Sequence, residues 1–125
     1  VHCLTDEPGG KITRNHIHDV DINAGRAESN GMFLDEGTTD FTISNNLIYN
    51  IARSPLRFHR ATTNLVQDNV LVCGEGIPPV RYNRTDEKDI VMKGNLILSA
   101  ADEEYMSKLP GIIETWDRDN RSKEK

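Results

Sequence analysis

An acid and an imidazole, Asp35 and His59, occupy equivalent places in two similar blocks of this sequence. The two blocks are offset by about 24 residues. A carboxylate next to a histidine orients the ring and tunes its charge, and either group can transfer a proton in a reaction. Glu36 follows directly and would add a second carboxyl group if the strand bends at that point. The candidate residues for acid–base catalysis are therefore Asp35, His59 and Glu36.

Four arginines recur in such blocks as two pairs with the same offset, Arg57 with Arg81 and Arg60 with Arg84. Cations at equivalent positions of adjacent repeats repel one another unless an anion, from a ligand or from the chain's own acids, lies between them. In the alternative interpretation, acids and bases of adjacent repeats form ion pairs on a solvated face, each worth about 0–1 kcal/mol. If the surface binds a polyanionic or polyhydroxylated chain, the candidate binding residues are Arg57, Arg60, Arg81, Asn83 and Arg84.

These side chains meet only if the chain stacks on itself, and its internal repeat predicts such stacking. Similar blocks lie at 32–37, 56–61 and 80–85, and each precedes a second apolar stretch that contains an asparagine. The first repeat starts at Val1 and the second at Met32, so the first is longer than the others, because it carries an extra polar loop at 23–30. A fixed period of about 20–50 residues is typical of solenoids, in which each repeat buries its apolar face against the next.

Apolar residues alternate within each block, which is the periodicity of a strand with one buried face. The apolar runs are short, rich in β-branched residues and bounded by turn formers, without a helical period. The predicted fold class is all-β, a right-handed parallel β-helix solenoid with about four coils of ~24 residues. Neighbouring coils lie about 4.8 Å apart, which places Asp35 beside His59 on one outward face.

The C-terminal part of the sequence predicts two further features. Ser99 can cap a short helix over 100–109 that stops at Pro110, and a weak fifth repeat is expected at 112–115. The predicted organisation is a β-helix segment over 1–116, as a fragment of a longer solenoid, and a polar tail over 117–125.

Asparagines recur at one turn position of every repeat, which predicts a stacked ladder of side-chain amides that bond backbone groups at a bend. Its members are Asn15, Asn46, Asn69 and Asn95. His16 and His18 share a strand face, but no further ligand is evident, so we predict no metal site. Cys3 falls in the inward column while Cys73 lies on a different strand, and no disulfide between them is expected.

Charge and hydropathy limit the classes of partner. The net charge of −5 argues against a general nucleic-acid binder, and no apolar stretch reaches membrane-spanning length. The sequence starts inside a repeat, so we expect a monomeric segment of a longer chain, without nucleic-acid partners or membrane insertion.

The runs NHIHDV, NGMFLDEGTTDFTISNNLIYNI and SPLRFHRATTNLVQDNVLV resemble the right-handed parallel β-helix (pectate-lyase-like) family of carbohydrate-active proteins over about residues 12–99. The DEG motif at 35–37 and the FH pair at 58–59 resemble elements of hydrolase-like members. The resemblance implies a polysaccharide substrate, acidic or sulfated, in an outward groove along one sheet. It also implies an extracellular or periplasmic location.

Three activities fit this resemblance. The hydrolase-like motifs favour a glycoside hydrolase, which needs two carboxyl groups about 5–9.5 Å apart. A polysaccharide lyase of the same fold would use His59 as the base and Arg57 with Arg81 to neutralise the substrate. A non-catalytic carbohydrate-binding or surface β-helix protein is the third. No cofactor is expected, except a calcium ion if the chemistry is that of a lyase.

Overall fold

The computed structural model describes residues 2–3, 10–20, 30–35, 38–102 and 104–121. Within these residues twelve strands form three parallel four-stranded sheets, here called A, B and C. Sheet A contains β1 (His2–Cys3), β4 (Met32–Leu34), β7 (Leu56–His59) and β10 (Val80–Asn83). Sheet B contains β2 (Lys11–Thr13), β5 (Thr42–Ser44), β8 (Asn64–Gln67) and β11 (Ile90–Lys93). Sheet C contains β3 (His16–Val20), β6 (Leu47–Ile51), β9 (Val70–Cys73) and β12 (Leu96–Ser99).

Each pass of the chain adds one strand to each sheet, in the order A, B, C, and we call each pass a rung. The four rungs are β1–β3, β4–β6, β7–β9 and β10–β12. In sheet A, Met32 pairs with Leu56, and Leu56 pairs with Val80. The first and second rungs are offset by 31 residues, as the contact of Asn15 with Asn46 shows. The predicted register, including the long first repeat, is therefore confirmed.

The three sheets enclose one apolar interior. In sheet A, Leu34 and Phe58 are 0 % exposed, and Ile43 of sheet B and Ile48 of sheet C are equally buried. These residues belong to one cluster that extends through the second and third rungs and into the fourth. Because side chains alternate along a strand, the neighbours of these residues must face outward. The interior therefore fixes which side chains of sheet A are available for chemistry.

The corner between sheets B and C is built the same way in every rung. It begins with a residue of positive φ, namely Arg14, Asn45, Asp68 or Gly94. The asparagine that follows lies in a ladder: Asn46 donates from its backbone and side chain to Asn69 Oδ1, each at 2.9 Å. Asn69 donates from Nδ2 to the carbonyl of Ile43 at 2.9 Å. The predicted amide ladder is confirmed, and it satisfies backbone groups that the bend removes from the sheets.

The helix differs from its prediction. It is α1 (Tyr105–Arg121), so it begins later than the expected 100–109 helix and contains Pro110. The fifth repeat expected at 112–115 is wrong because these residues are helical, and the expected boundary between 116 and 117 falls inside α1. A proline lacks one hydrogen-bond donor, but burial of Leu109 and Asn120 on one side of the helix offsets that loss. Tertiary packing has overridden a local stop signal.

Helix α1 folds back along the outer side of sheet C. Trp116 Nε1 donates to the carbonyl of Asn45 in the second rung at 3.0 Å, and its ring lies 5.5 Å from that of His16 in the first rung. Leu47 faces outward, since its neighbour Ile48 belongs to the interior cluster, yet it is 0 % exposed. Because Trp116 lies against His16, the residue in register with Leu47, we attribute this burial to α1. Among the described residues, no helix has the length and apolar character needed to cross a bilayer.

The two cysteines lie on different sheets, Cys3 in sheet A and Cys73 in sheet C. Cys3 pairs with Leu34 in the backbone register of sheet A, and its side chain lies outside the described part of the structure. Cys73 is a free, buried thiol at 4 % exposure. Burial raises the pKa of the Cys73 thiol to about 11, because desolvation disfavours the thiolate.

The first prediction concerns the amide ladder. Asn69→Ala leaves the Ile43 carbonyl and the Asn46 backbone donor without their partners inside the protein. We expect a loss of about 2–4 kcal/mol in the free energy of unfolding, measured by urea denaturation. Gln67→Ala, at a partly buried amide on the outer face of β8, the strand that precedes Asn69, should change stability by no more than about 0.5 kcal/mol. Equal losses for both variants would contradict the structural role of the ladder.

The second prediction concerns Cys73. The native thiol should react with iodoacetamide slowly at neutral pH, and its rate should rise towards a midpoint near pH 11 rather than the ordinary 9.0. Peptide mapping by mass spectrometry separates this reaction from that of Cys3. The unfolded thiol ionises first, so Cys73 should also lower stability as the pH rises from 9 to 11. Rapid native alkylation at neutral pH would show that the thiol is not buried.

Candidate functional site

The candidate site lies on the outer face of sheet A, near the ends of β4, β7 and β10. Asp35 immediately follows β4, and two hydrogen bonds from Thr38 fix its backbone. The Thr38 hydroxyl donates to the Asp35 carbonyl at 2.7 Å, and the Thr38 N–H donates to the same oxygen at 3.2 Å. Thr38 is 0 % exposed, so this support belongs to the protein interior.

Stacking of the rungs brings Asp35 and His59 into direct contact. His59 Nδ1 lies 2.9 Å from Asp35 Oδ1, which confirms the contact predicted from the 24-residue period. Their side chains are 27 % and 20 % exposed for His59 and Asp35, respectively, so both are partly shielded but reachable from solvent. The catalytic roles assigned to the two residues stay predictions.

The contact determines which ring nitrogen of His59 can do chemistry. An ionised carboxylate can only accept hydrogen bonds, so Nδ1 carries the hydrogen when it faces Asp35. The neutral ring then has its lone pair on Nε2, which can take a proton from a bound molecule. Asp35 therefore orients the ring so that Nε2 faces away from the carboxylate. The pair is thus arranged as a general base with an orienting acid.

Arg57 is held between an aromatic ring and an amide. Its guanidinium carbon lies 4.2 Å from the ring centroid of Phe33, the residue in register on β4. Its Nε donates to Asn83 Oδ1 at 2.7 Å, across to β10. A guanidinium over a ring is attracted by the negative face of the π-system. These two contacts stabilise the charged side chain of Arg57 and so offset the repulsion expected from Arg81, its partner in register.

Asn83 has a second role that follows from this bond. It stands in register with His59, one rung further on. Because its Oδ1 accepts from Arg57, the two hydrogens on its Nδ2 are left as donors for other groups. The Asn83 carbonyl is fixed as well, since it accepts from the Arg60 N–H at 3.0 Å and from the Thr85 hydroxyl at 2.9 Å.

The remaining arginines lie on the surface of the same region. Arg60 and Arg84 follow β7 and β10 directly, have φ values of 52° and 47°, and are exposed. Arg81 is exposed on the outer face of β10. Between Arg81 and Asn83, Tyr82 points inward, where burial, and next the negative charge of Glu87, raises the pKa of its phenol. Arg57, Arg81 and Asn83 thus lie on the outer face of sheet A, and Arg60 and Arg84 lie at the exposed bends that follow β7 and β10.

Two further predictions about the site concern Glu36 and metal binding. Glu36, the second candidate carboxylate, lies outside the described residues, as does its expected contact with Arg60. In the part of the chain that the structure describes, no three His, Cys, Asp or Glu side chains are grouped so that they could hold a metal ion.

The sequence analysis did not predict two groups of contacts made by aromatic side chains. Phe33 stood in the same outward column as Arg57, so its position beneath the guanidinium could have been read from the repeat. The second is a cluster on sheet C, where the His18 and Tyr49 rings stack at 5.2 Å and His16 Nε2 lies 3.1 Å from the Tyr49 hydroxyl. Trp116 joins this cluster from α1, and no sequence signal gave the path of that helix.

Comparison with known proteins gives no relative: no protein-family model, no curated protein and no solved structure matches this chain. The pectate-lyase-like resemblance therefore rests on the motifs at 35–37 and 58–59 and on the repeat alone.

The third prediction tests the contact of Phe33 with Arg57 by a double-mutant cycle. Phe33→Leu keeps an apolar side chain but removes the ring, and Arg57→Met keeps the aliphatic stem but removes the charge. We expect a coupling energy of about 0.5–1 kcal/mol, measured from urea denaturation of the four proteins. The same cycle with Arg81→Met in place of Arg57→Met should give a coupling near zero. A coupling that is equal for both arginines would mean that the contact is not specific.

Proposed function

We propose that this protein is a right-handed parallel β-helix that binds an acidic polysaccharide along the outer face of sheet A and cleaves it there. The observation that carries this proposal is the contact of His59 with Asp35, on the face that also presents Arg57, Arg81 and Asn83. The three parallel sheets with one strand per rung support the β-helix, which is the architecture named by the motif resemblance.

The charge of this face favours an anionic ligand. The whole chain has a net charge of −5, yet Arg81 is exposed on the outer face of sheet A, and Arg60 and Arg84 are exposed at the ends of its strands. Arginine binds planar carboxylates and sulfates through paired donors. Rungs about 4.8 Å apart repeat these cations at a spacing close to the length of one sugar residue. A uronate or sulfated glycan lying along the stack would meet a cation at successive sugars.

The arrangement of His59 favours elimination. In this reaction, Nε2 takes the proton from the carbon next to the uronate carboxylate, and the electron pair of that C–H bond forms a double bond to the next ring carbon. The bond from that second carbon to the glycosidic oxygen breaks, and the leaving oxygen takes up a proton. The arginines neutralise the carboxylate, where charge develops as the proton leaves.

Hydrolysis, which the hydrolase-like motifs favour, would use Asp35 as one of two carboxyl groups. Glu36 is the candidate for the second. The contact of Asp35 Oδ1 with His59 argues against this alternative, because a carboxylate that orients a histidine is less available as a nucleophile or acid. Glycans of this kind lie outside the cell, so the proposal includes an extracellular or periplasmic location.

The fourth prediction tests the activity. The protein is incubated with a panel of uronate, sulfated and neutral glycans, and both new reducing ends and the ultraviolet absorbance of unsaturated uronates are followed. We expect both signals with a uronate glycan, since elimination produces both. His59→Gln should lower the rate about 10²–10⁴-fold, because the base is lost. Asp35→Asn should also lower it, because the ring loses its orienting carboxylate.

His18→Gln is the matched control, since it alters an exposed histidine on the outer face of sheet C. Its rate should equal that of the unaltered protein. Reducing ends without unsaturated products would assign hydrolysis and overturn elimination. Binding of acidic glycans without either product, measured by calorimetry, would assign a non-catalytic carbohydrate-binding protein.

A further inference from the structure

Exposed apolar side chains are concentrated at one end of the stack. Three large hydrophobic residues are exposed among those described, and all three lie on the fourth rung: Val91 at 53 %, Leu96 at 46 % and Ile97 at 48 %. Val91 and Leu96 face outward, where isolated exposed apolar residues are ordinary, whereas Ile97 follows the interior residue Leu71 in register.

The interior columns end uncovered at this rung. Ile97 pairs with Leu71, which is 0 % exposed and belongs to the interior cluster. Tyr82 and Met92 likewise follow the fully buried Phe58 and Val66 in register, but both are only partly buried. Each interior column therefore reaches the fourth rung with an apolar side chain that no further rung covers among the described residues.

The backbone at this end is open as well. β10, β11 and β12 are each the last strand in their sheet, so one side of each has no strand partner within the described ranges. Residues 105–121 do not add a fifth rung, because they form α1, which folds back along sheet C. Unpaired strand edges with apolar side chains are templates for pairing with another strand.

A recess beside Ile97 could receive side chains from a partner. It has a volume of about 390 Å³ and lies between β12 and the loop that leads from β9 to β10. Its apolar lining includes Ile77, Pro78, Pro79 and Ile97. These prolines and isoleucines offer an apolar surface next to the open ends of the interior columns.

The charges of the fourth rung suit a second copy of the same surface. From 80 to 99 the sequence has four basic residues and three acidic ones: Arg81, Arg84, Lys88 and Lys93 with Asp86, Glu87 and Asp89. Nucleic acid or an anionic membrane would require a surface of one sign. A rim with both signs can instead be complementary to itself when it is turned over by a two-fold rotation.

We propose that two copies of this chain associate end to end through their fourth rungs, related by a two-fold axis. Turning one copy over reverses the direction of its strands, so the two edges pair in the antiparallel manner. Ile97, Met92 and Tyr82 of each copy become buried in the contact. This proposed dimer differs from the monomer expected from the sequence, and it does not depend on the proposed enzymatic function. A contact of one rung is small, so we expect a Kd in about the micromolar range.

Sedimentation velocity over a range of concentrations tests the proposal. The chain has a mass of 14.1 kDa, so the dimer should sediment with twice that mass and dissociate on dilution. Ile97→Asp should shift the protein to monomer at every concentration. Val91→Asp is the matched control, because Val91 is similarly exposed on the same rung but faces outward from sheet B, beside Leu65 in register. It should leave the dimer intact.

Hydrogen exchange on the unaltered protein gives a second measurement that does not depend on any variant folding. Backbone amides of β10–β12 should exchange more slowly at high concentration than at low concentration, while those of β4–β6 should be unaffected. A protein that is monomeric at all concentrations, with unchanged exchange, would overturn the proposal. Assemblies larger than a dimer would overturn the two-fold arrangement, because head-to-tail stacking does not close.

Discussion

The structure depends on the amide ladder at the corner between sheets B and C. A chain that turns sharply between two sheets removes backbone groups from both, and each must find a partner inside the protein. The side chain of one asparagine satisfies two backbone groups of the preceding rung: Asn69 accepts from the backbone of Asn46 and donates to the carbonyl of Ile43, both in the second rung. A residue of positive φ precedes each ladder member, and Gly94 is the fourth-rung example, where an added Cβ would come within 2.7 Å of Asp68 Oδ1. The corner thus fixes the distance and the register between rungs, and every column of side chains follows from that register.

The chemistry of sheet A is one result of this register. Asp35 and His59 are 24 residues apart, and they touch because the interior side chains Leu34 and Phe58 next to them are stacked and buried. The site therefore needs no special loop to bring its groups together. Its precision comes from strands packed on a rigid interior, whereas the arginines at the strand ends sit at exposed bends. We expect that the acid–base pair is the fixed part of the surface and that the cations adapt to the ligand.

Much of this could be predicted from the sequence, because the repeat carries the information directly. Alignment of the blocks gave the pairing of Leu56 with Val80 and the contact of Asp35 with His59 without any further knowledge. The helix could not be predicted in the same way. Pro110 and Gly111 are local stop signals, and only the outward Leu47 and the carbonyl of Asn45, distant in sequence, explain why α1 continues through them. The contact of Phe33 with Arg57 was only partly predictable. The repeat places both residues in one outward column, but only the side-chain geometry shows that the guanidinium lies over the ring.

The path of α1 has a consequence for biosynthesis. Each rung contacts only its neighbours, so rungs can add one at a time as the chain emerges from the ribosome. The outward face of the second rung is different, because the helix that covers Leu47 is synthesised more than fifty residues later. Until α1 is synthesised, the outward apolar side chain of Leu47 lacks its cover. Docking of α1 is therefore a late step in the folding of the described residues.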